Sequence, residues 1–160
     1  MTQPADKKCL ELEKAQNIRD LGGYVTADGR CTADNFWRGD SFDVLSENDK
    51  NTMLELGVKT VIDLRNASEI TKVPSVFSDC DGIKYVNIPI LPDREQAEAA
   101  EAVGYRFVMG DLYTAMADNG QDALRDIFRL MSSSDGMLLF HCSAGKDRTG
   151  IIAALLLKLA

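Results

Sequence analysis

Apolar residues along this chain come in short groups whose spacing alternates between two periods. Val58-Lys59-Thr60-Val61-Ile62 is β-branched and mostly apolar, which predicts a buried strand running directly into Asp63-Leu64-Arg65. Met137-Leu138-Leu139-Phe140 predicts another buried strand. Lys84 to Ile90 predicts a third, stopped by Pro89 and Pro92, which have no N–H to give to a sheet. Helical spacings lie between them. Ser46 with Asp49 forms an N-cap pair, Met53, Leu54 and Leu56 supply apolar positions, and Gly57 suits a left-handed end, so a helix is expected over 46–56. Further helices are expected over 105–118 and 121–131, and a strongly apolar one over Thr149 to Ala160. Tyr24-Val25-Thr26 and Arg30-Cys31-Thr32 flank Ala27-Asp28-Gly29, which reads as a hairpin with a tight turn. An acidic, alanine-rich stretch from Asp93 to Ala102 reads as a surface helix whose Glu95, Glu98 and Glu101 face is solvated; its functional reading is a lid.

Strands separated by helices predict an α/β fold with a central, mainly parallel sheet flanked by helices, and such folds place their sites beyond the carboxyl ends of the strands. Asp63 and His141 both fall there. No repeat or linker divides the 160 residues, so 1–160 is expected to be a single domain. The last helix is apolar on nearly every face from Ile151 to Ala160 and has no Gly, Pro or polar cap to end it. A helix of that kind needs cover on every side. The expectation is therefore a domain incomplete at its C-terminal side, lacking further helices, or one that associates with a partner through this apolar helix.

Charge and composition narrow the function classes. Subtracting 25 acidic from 18 basic residues leaves a net charge of −7, which disfavours nonspecific binding to nucleic acid or to an anionic membrane. An anionic substrate would have to be held by a local site against the overall field. The longest apolar run, Ile151 to Leu157, falls far short of the roughly 20 residues that span a bilayer, so no transmembrane segment is expected. Met1-Thr2-Gln3-Pro4 begins no signal peptide, so the cytoplasm is the default location, with export by another route left open. Cys9, Cys31, Cys80 and Cys142 are scattered, and with a single histidine, His141, they imply no zinc spacing, metal site or cofactor.

The stretch that carries chemistry is His141-Cys142-Ser143-Ala144-Gly145-Lys146-Asp147-Arg148-Thr149-Gly150, between a buried strand and a helix. A loop of this length can curl so that successive backbone N–H groups of Ser143, Ala144, Gly145, Lys146, Asp147 and Arg148 point at one spot. The following helix adds the partial positive charge of its N-terminus, and phosphate is the natural guest. Arg148 offers a planar fork for two phosphate oxygens. Cys142 lies at the bottom of the same positive cradle, which favours the thiolate able to attack phosphorus. Gly145 permits backbone angles that a side chain would block, Thr149 can hydrogen-bond the sulfur, and Lys146 adds a cation at the rim. The kinase-type phosphate loop is not met, because Phe140 stands where its first glycine should be and Asp147 follows Lys146. In bland readings Cys142 is a buried small hydrophobe and His141 a satisfied core residue.

The pattern His-Cys-x5-Arg-Thr-Gly resembles the signature of cysteine-dependent protein tyrosine phosphatases. More narrowly, His-Cys-Ser-Ala-Gly-Lys-Asp-Arg-Thr-Gly is similar to the variant of the atypical bacterial tyrosine and dual-specificity phosphatases, some of which also act on phosphoinositides. Asn17-Ile18-Arg19-Asp20-Leu21-Gly22-Gly23-Tyr24 resembles that family's N-terminal motif, and Val61-Ile62-Asp63-Leu64-Arg65 with Glu69 its central one. The likeness spans roughly 17–160.

The resemblance implies hydrolysis of a phosphorylated protein or phosphoinositide through a phosphocysteine at Cys142, with Arg148 on the phosphoryl oxygens. It also implies that Lys146 reaches a second phosphate and that Asp147 fixes Arg148 or assists proton transfer. For the general acid Asp63 leads, since the likeness and the strand-end position agree. Asp111 is the rival, because dual-specificity enzymes carry their acid at a comparable distance before the cysteine, and Asp147 is third. Arg38 either packs structurally or helps hold the site. Asp20, Gly22 and Gly23 either shape a loop near the site or form an ordinary turn. Cys9, Cys31 and Cys80 are bystanders unless one protects Cys142 as a disulfide. The alternatives to an active phosphatase are a phosphate-binding interaction module without turnover and, more remotely, a sulfur-transfer enzyme.

Overall fold

The computed structural model describes residues 9–15, 17–42, 45–90, 113–114, 116 and 118–160. The 93–102 stretch with its acidic face, Asp111, and most of the helix expected over 105–118 lie outside the described residues.

Five strands form one sheet. They are β1 (Arg19–Asp20), β2 (Phe36–Gly39), β3 (Val58–Asp63), β4 (Lys84–Asn87) and β5 (Met137–His141), in the spatial order β1-β2-β5-β3-β4. Only β1 with β2 is antiparallel; β2, β5, β3 and β4 all run the same way. The four described helices that flank the sheet are α1 (Glu47–Glu55), α2 (Ala67–Lys72), α3 (Gln121–Ser133) and α4 (Asp147–Leu159). The α/β architecture with a mainly parallel sheet is as expected. The strands at 58–63 and 137–141 and the helices at 47–55 and 121–133 fall where the hydrophobic pattern puts them. Val25 and Cys31 bridge across the expected hairpin.

The central strand divides the core by simple alternation. Leu138 and Phe140 face one layer with Ile62, Ile127, Met131, Ile152 and Ala153, the inner faces of α3 and α4. Leu139 faces the other with Val61, Trp37, Phe42, Met53 and Phe77. Val58 shares that second layer although it lies three residues from Val61, and a register shift between Val58 and Thr60 supplies the extra residue this needs.

Three elements are absent from the hydrophobic pattern. β1 and β2 are short and carry Arg and Asp among their few residues. α2 has no buried residue and exists through a capping box in which Asn66 and Glu69 satisfy each other's backbone N–H. The apolar helix α4 is less covered than its composition suggests: Leu155 is 37% and Leu159 74% exposed. Among the described residues no helix is long and apolar enough to cross a membrane.

Asp49 ties the N-terminal segment to α1. It completes the capping box with Ser46, and its wholly buried carboxylate also accepts the N–H groups of Glu13 at 2.7 Å and Lys14 at 3.1 Å. Burial alone would raise its pKa, but these donors hold it below the usual carboxylate range. Replacing Asp49 with Ala strands buried donors, so the expected loss is about 1–3 kcal/mol of unfolding free energy by chemical denaturation at neutral pH. An unchanged denaturation midpoint would show that the clasp contributes nothing.

Candidate active site

Gly39, His141 and Asp63 lie in one row across β2, β5 and β3, so the segments that leave these carboxyl ends emerge side by side. The central one is the loop from Cys142 to Lys146, which bends into α4 at Asp147. Its carbonyls are held from outside. Ser143 O accepts from Ser41 N at 3.0 Å, and Ala144 O from Asn17 Nδ2 at 3.2 Å. Gly145 O accepts from Arg38 Nη2 at 2.7 Å and from Asn17 Nδ2 at 3.3 Å. Arg19 donates in turn to Asn17 Oδ1. A trans peptide carries its C=O and N–H on opposite sides, and no described bond is cis. The N–H groups of Ala144, Gly145 and Lys146 therefore turn away from these donors, toward the inner side of the bend. Gly145 is what allows this path: its φ is +64°, and an added Cβ would lie 2.5 Å from Gly39 O.

Cys142 begins the loop at 2% exposure. Burial and the nearby Arg19 lower the Arg38 pKa, and a negative charge on the Cys142 sulfur would act against that lowering and add to the hold of Glu69 on Arg148. All four cysteines are free thiols. Thr149 is wholly buried one residue beyond Arg148, and its hydroxyl has no hydrogen-bond partner among the described residues. Ser143, Ala144 and Lys146 are exposed at the rim.

Arg148 is positioned by Glu69. Its Nη1 donates to Glu69 Oε2 at 2.6 Å and its Nη2 to Oε1 at 2.8 Å, while Ser143 Oγ donates to Oε1 at 2.5 Å. Burial would raise the Glu69 pKa, but the bonds from Arg148, Ser143 and the Asn66 backbone bring it down to about 2. Against its own burial, Arg148 is held above the ordinary value by the same partner. The ion pair considered between Asp147 and Arg148 is thus replaced by one with Glu69. A hollow of about 420 Å³ opens beside this pair, lined by Lys14, Asp40, Ser41, Arg65, Glu69, Lys72, Val73 and Ser143. A smaller apolar recess of about 260 Å³ lies away from the loop, between the end of α4 and residues such as Leu21 and Phe36.

Residues 10–160 match the model of the tyrosine phosphatase family. The chain belongs to that family. It is 36% identical over 129 residues to a tyrosine-protein phosphatase of Nostoc commune, covering 80% of this chain and 44% of the relative. To the triple specificity protein phosphatase PtpB of Mycobacterium tuberculosis it is 26% identical over 182 aligned positions, 92% of this chain and 62% of the relative. The chain spans about half the length of the curated relatives it matches.

Within this tyrosine phosphatase family member the aspartates expected as acids sit very differently. Asp63 stands at the strand end, but its carboxylate is wholly buried. It accepts from Arg65 N at 2.9 Å, Arg65 Nη2 at 2.7 Å and Tyr85 OH at 2.7 Å. Burial pushes its pKa up, yet Arg65, His141 and Tyr85 together hold it below the usual carboxylate range. A carboxylate enclosed by these donors is a poor proton donor, so the geometry favours a structural ion pair over the acid role expected of Asp63. Asp147 is partly exposed at the first residue of α4, and Tyr113 OH donates to its Oδ1 at 2.6 Å. Asn17, Ser41 and the role of Glu69 were not legible beforehand. The signal for Asn17 and Glu69 was their membership of the two upstream motifs; Ser41 offered none.

His141 is wholly buried, 3.2 Å from Cys142 O through Nδ1, and burial lowers its pKa to about 4 despite the pull of Asp63. The folded value lies below the unfolded 6.5, so its contribution to stability is complete above pH 6.5 and is lost as pH falls toward 4. As the only histidine, its imidazole NMR signals are expected to titrate near pH 4; a midpoint at or above 6.5 contradicts this burial. Gly145→Ala meets both a positive φ and the Gly39 carbonyl, and is expected to cost about 1–3 kcal/mol of unfolding free energy by chemical denaturation. An unchanged denaturation midpoint would show that the loop's path is not constrained as described.

Proposed function

We propose that this chain is a cysteine-dependent phosphomonoester phosphatase acting on phosphotyrosine. The observation that carries the reading is the loop whose carbonyls are drawn outward between Cys142 and Arg148. The N–H groups of Ala144, Gly145 and Lys146 and the fork of Arg148 bind the phosphoryl oxygens, with the N-terminus of α4 behind them. The Cys142 thiolate attacks phosphorus. A bond forms from Sγ to phosphorus as the bond to the ester oxygen breaks, and Asp147 gives its proton to the leaving oxygen. Water then attacks the phosphocysteine, Asp147 takes the water's proton, and inorganic phosphate leaves as the thiolate returns. Thr149, whose buried hydroxyl has no partner among the described residues, supports the departing sulfur in this reading.

The triple specificity named for the mycobacterial relative supports a range wider than phosphotyrosine, and the likeness of the loop to the atypical bacterial phosphatases extends that range to phosphoserine, phosphothreonine and phosphoinositides. Lys146, exposed at the rim, suits a second phosphate group. The rival reading is a phosphate-binding module without turnover. Its support is that Glu69 takes both terminal nitrogens of Arg148.

Incubation with para-nitrophenyl phosphate in the absence of added metal separates the two. Turnover inhibited by vanadate and lost in Cys142→Ser is expected, and Asp147→Asn is expected to lose about 10²–10⁴-fold in kcat with phosphotyrosine. Asp63→Asn should instead lower the melting temperature while the folded fraction keeps its pH–rate profile. Vanadate binding without phosphate release would favour the binding module, and full activity in Cys142→Ser would end the covalent mechanism.

A further inference from the structure

Asp147 has one described side-chain contact, and it comes from far away in the sequence. Tyr113 donates its hydroxyl to Oδ1 at 2.6 Å across a separation of 34 residues. The contact rests on anchored backbone. Tyr113 is helical, as is Met116 three residues on, which is wholly buried in the same core layer as Ile152 and Ala153 of α4. Met116 O also accepts the N–H of Gly120, and Gly120 O that of Leu124 in α3, so Met116 is tied through Gly120 to the helix that follows. The Tyr113 side chain is 39% exposed. Its hydroxyl is therefore not part of the core, and packing alone does not require it.

We propose that Tyr113 is a positioning residue for Asp147: its hydroxyl occupies Oδ1, so that the proton resides on Oδ2 and is presented to the leaving oxygen. This rests on the reading of Asp147 as the general acid. In a carboxylic acid the oxygen that accepts a hydrogen bond is the carbonyl-like one, and the proton belongs to the other. When Asp147 loses that proton, negative charge appears on the carboxylate and the bond from Tyr113 becomes charge-assisted, roughly twice as strong as its neutral form. The interaction is stronger in the transition state than before it, which is the condition for raising kcat rather than merely holding the protein together. The raised pKa of Tyr113, caused first by its bond to Asp147, agrees that this hydroxyl keeps its proton and acts as a donor.

The test is a double-mutant cycle read on two esters of different leaving-group quality. Tyr113→Phe removes only the hydroxyl, and is expected to lower kcat about tenfold on phenyl phosphate, whose phenolate needs protonation, and much less on a dinitrophenyl phosphate. In the Asp147→Asn background, Tyr113→Phe is expected to have no further effect on phenyl phosphate. If Tyr113→Phe lowers both esters equally, or adds its full loss on top of Asp147→Asn, the hydroxyl acts by some route other than Asp147 and the inference is overturned. If Asp147→Asn itself leaves phenyl phosphate turnover intact, the assignment of the acid fails instead. If Asp147→Asn is impaired while Tyr113→Phe matches wild type, the acid stands and Tyr113 has no part in it.

Discussion

Turning three consecutive peptide carbonyls outward sets polar oxygens against the body of the protein, where each needs a donor. Ser41, Asn17 and Arg38 supply those donors, and Arg19 braces Asn17. The inward display of N–H groups is therefore secured from the back. Without these donors the peptides would be free to rotate, and an anion would have to organise the loop at its own expense. The parallel row of Gly39, His141 and Asp63 brings the back-side donors within reach. The backbone of Gly39 lies against Gly145, where its carbonyl leaves no room for a side chain, while a side chain at Gly39 itself would meet Phe42 and Ile18.

A second constraint is electrostatic and involves the short segment from Asp63 to Glu69. Two ion pairs leave this segment in different directions. Asp63 with Arg65 closes on itself inside the core, where Arg65 also donates to Ser41 Oγ at 3.1 Å and Val73 O at 2.9 Å. Glu69 reaches across to Arg148. A buried pair is weak evidence for stability, since desolvation offsets much of its attraction, but removing one partner leaves an uncompensated charge. The first pair holds the end of β3 to Ser41, which contacts the loop. The second orients the fork at the far end of the loop. Both fix geometry more than they add stability.

Much of the fold was legible because its core strands are apolar and short and its main helices are capped or strongly periodic. Val58 to Asp63, Met137 to His141, and the α1 cap at Ser46 and Asp49 are local signals. β2 escaped because Phe-Trp-Arg-Gly satisfies no period over four residues; only its place beside β5 makes it a strand. α2 escaped because its six residues bury nothing. The loop itself was legible as a contiguous string. Its supports were less so: holding the site was one of two readings of Arg38, and Asn17, Ser41 and Glu69 are brought to the loop by topology. The surroundings of Asp63 were hidden for the same reason. Strand-end position can be read locally, but the enclosure by Arg65 and Tyr85 cannot be seen until β4 is laid against β3.

The donors of Arg148 show what binding an anion demands. A guanidinium has five N–H groups. Among the described residues, Nη1 gives to Glu69 and, at 3.5 Å, to Leu64 O, while Nη2 gives to Glu69 and, at 3.2 Å, to Ser143 Oγ. Nε–H is left over. A two-point grip on phosphate through Nε and Nη2 therefore needs only the Ser143 contact released, while both bonds to Glu69 persist. Glu69 neutralises the formal charge of Arg148 but leaves its directional donors aimed at the loop. Under the proposed function, the attraction for a dianion then comes chiefly from oriented N–H groups, Lys146 and the start of α4, which act at short range. A chain with a net charge of −7 can accommodate such a site because dipoles aligned within a few ångströms outweigh screened charges spread over the surface.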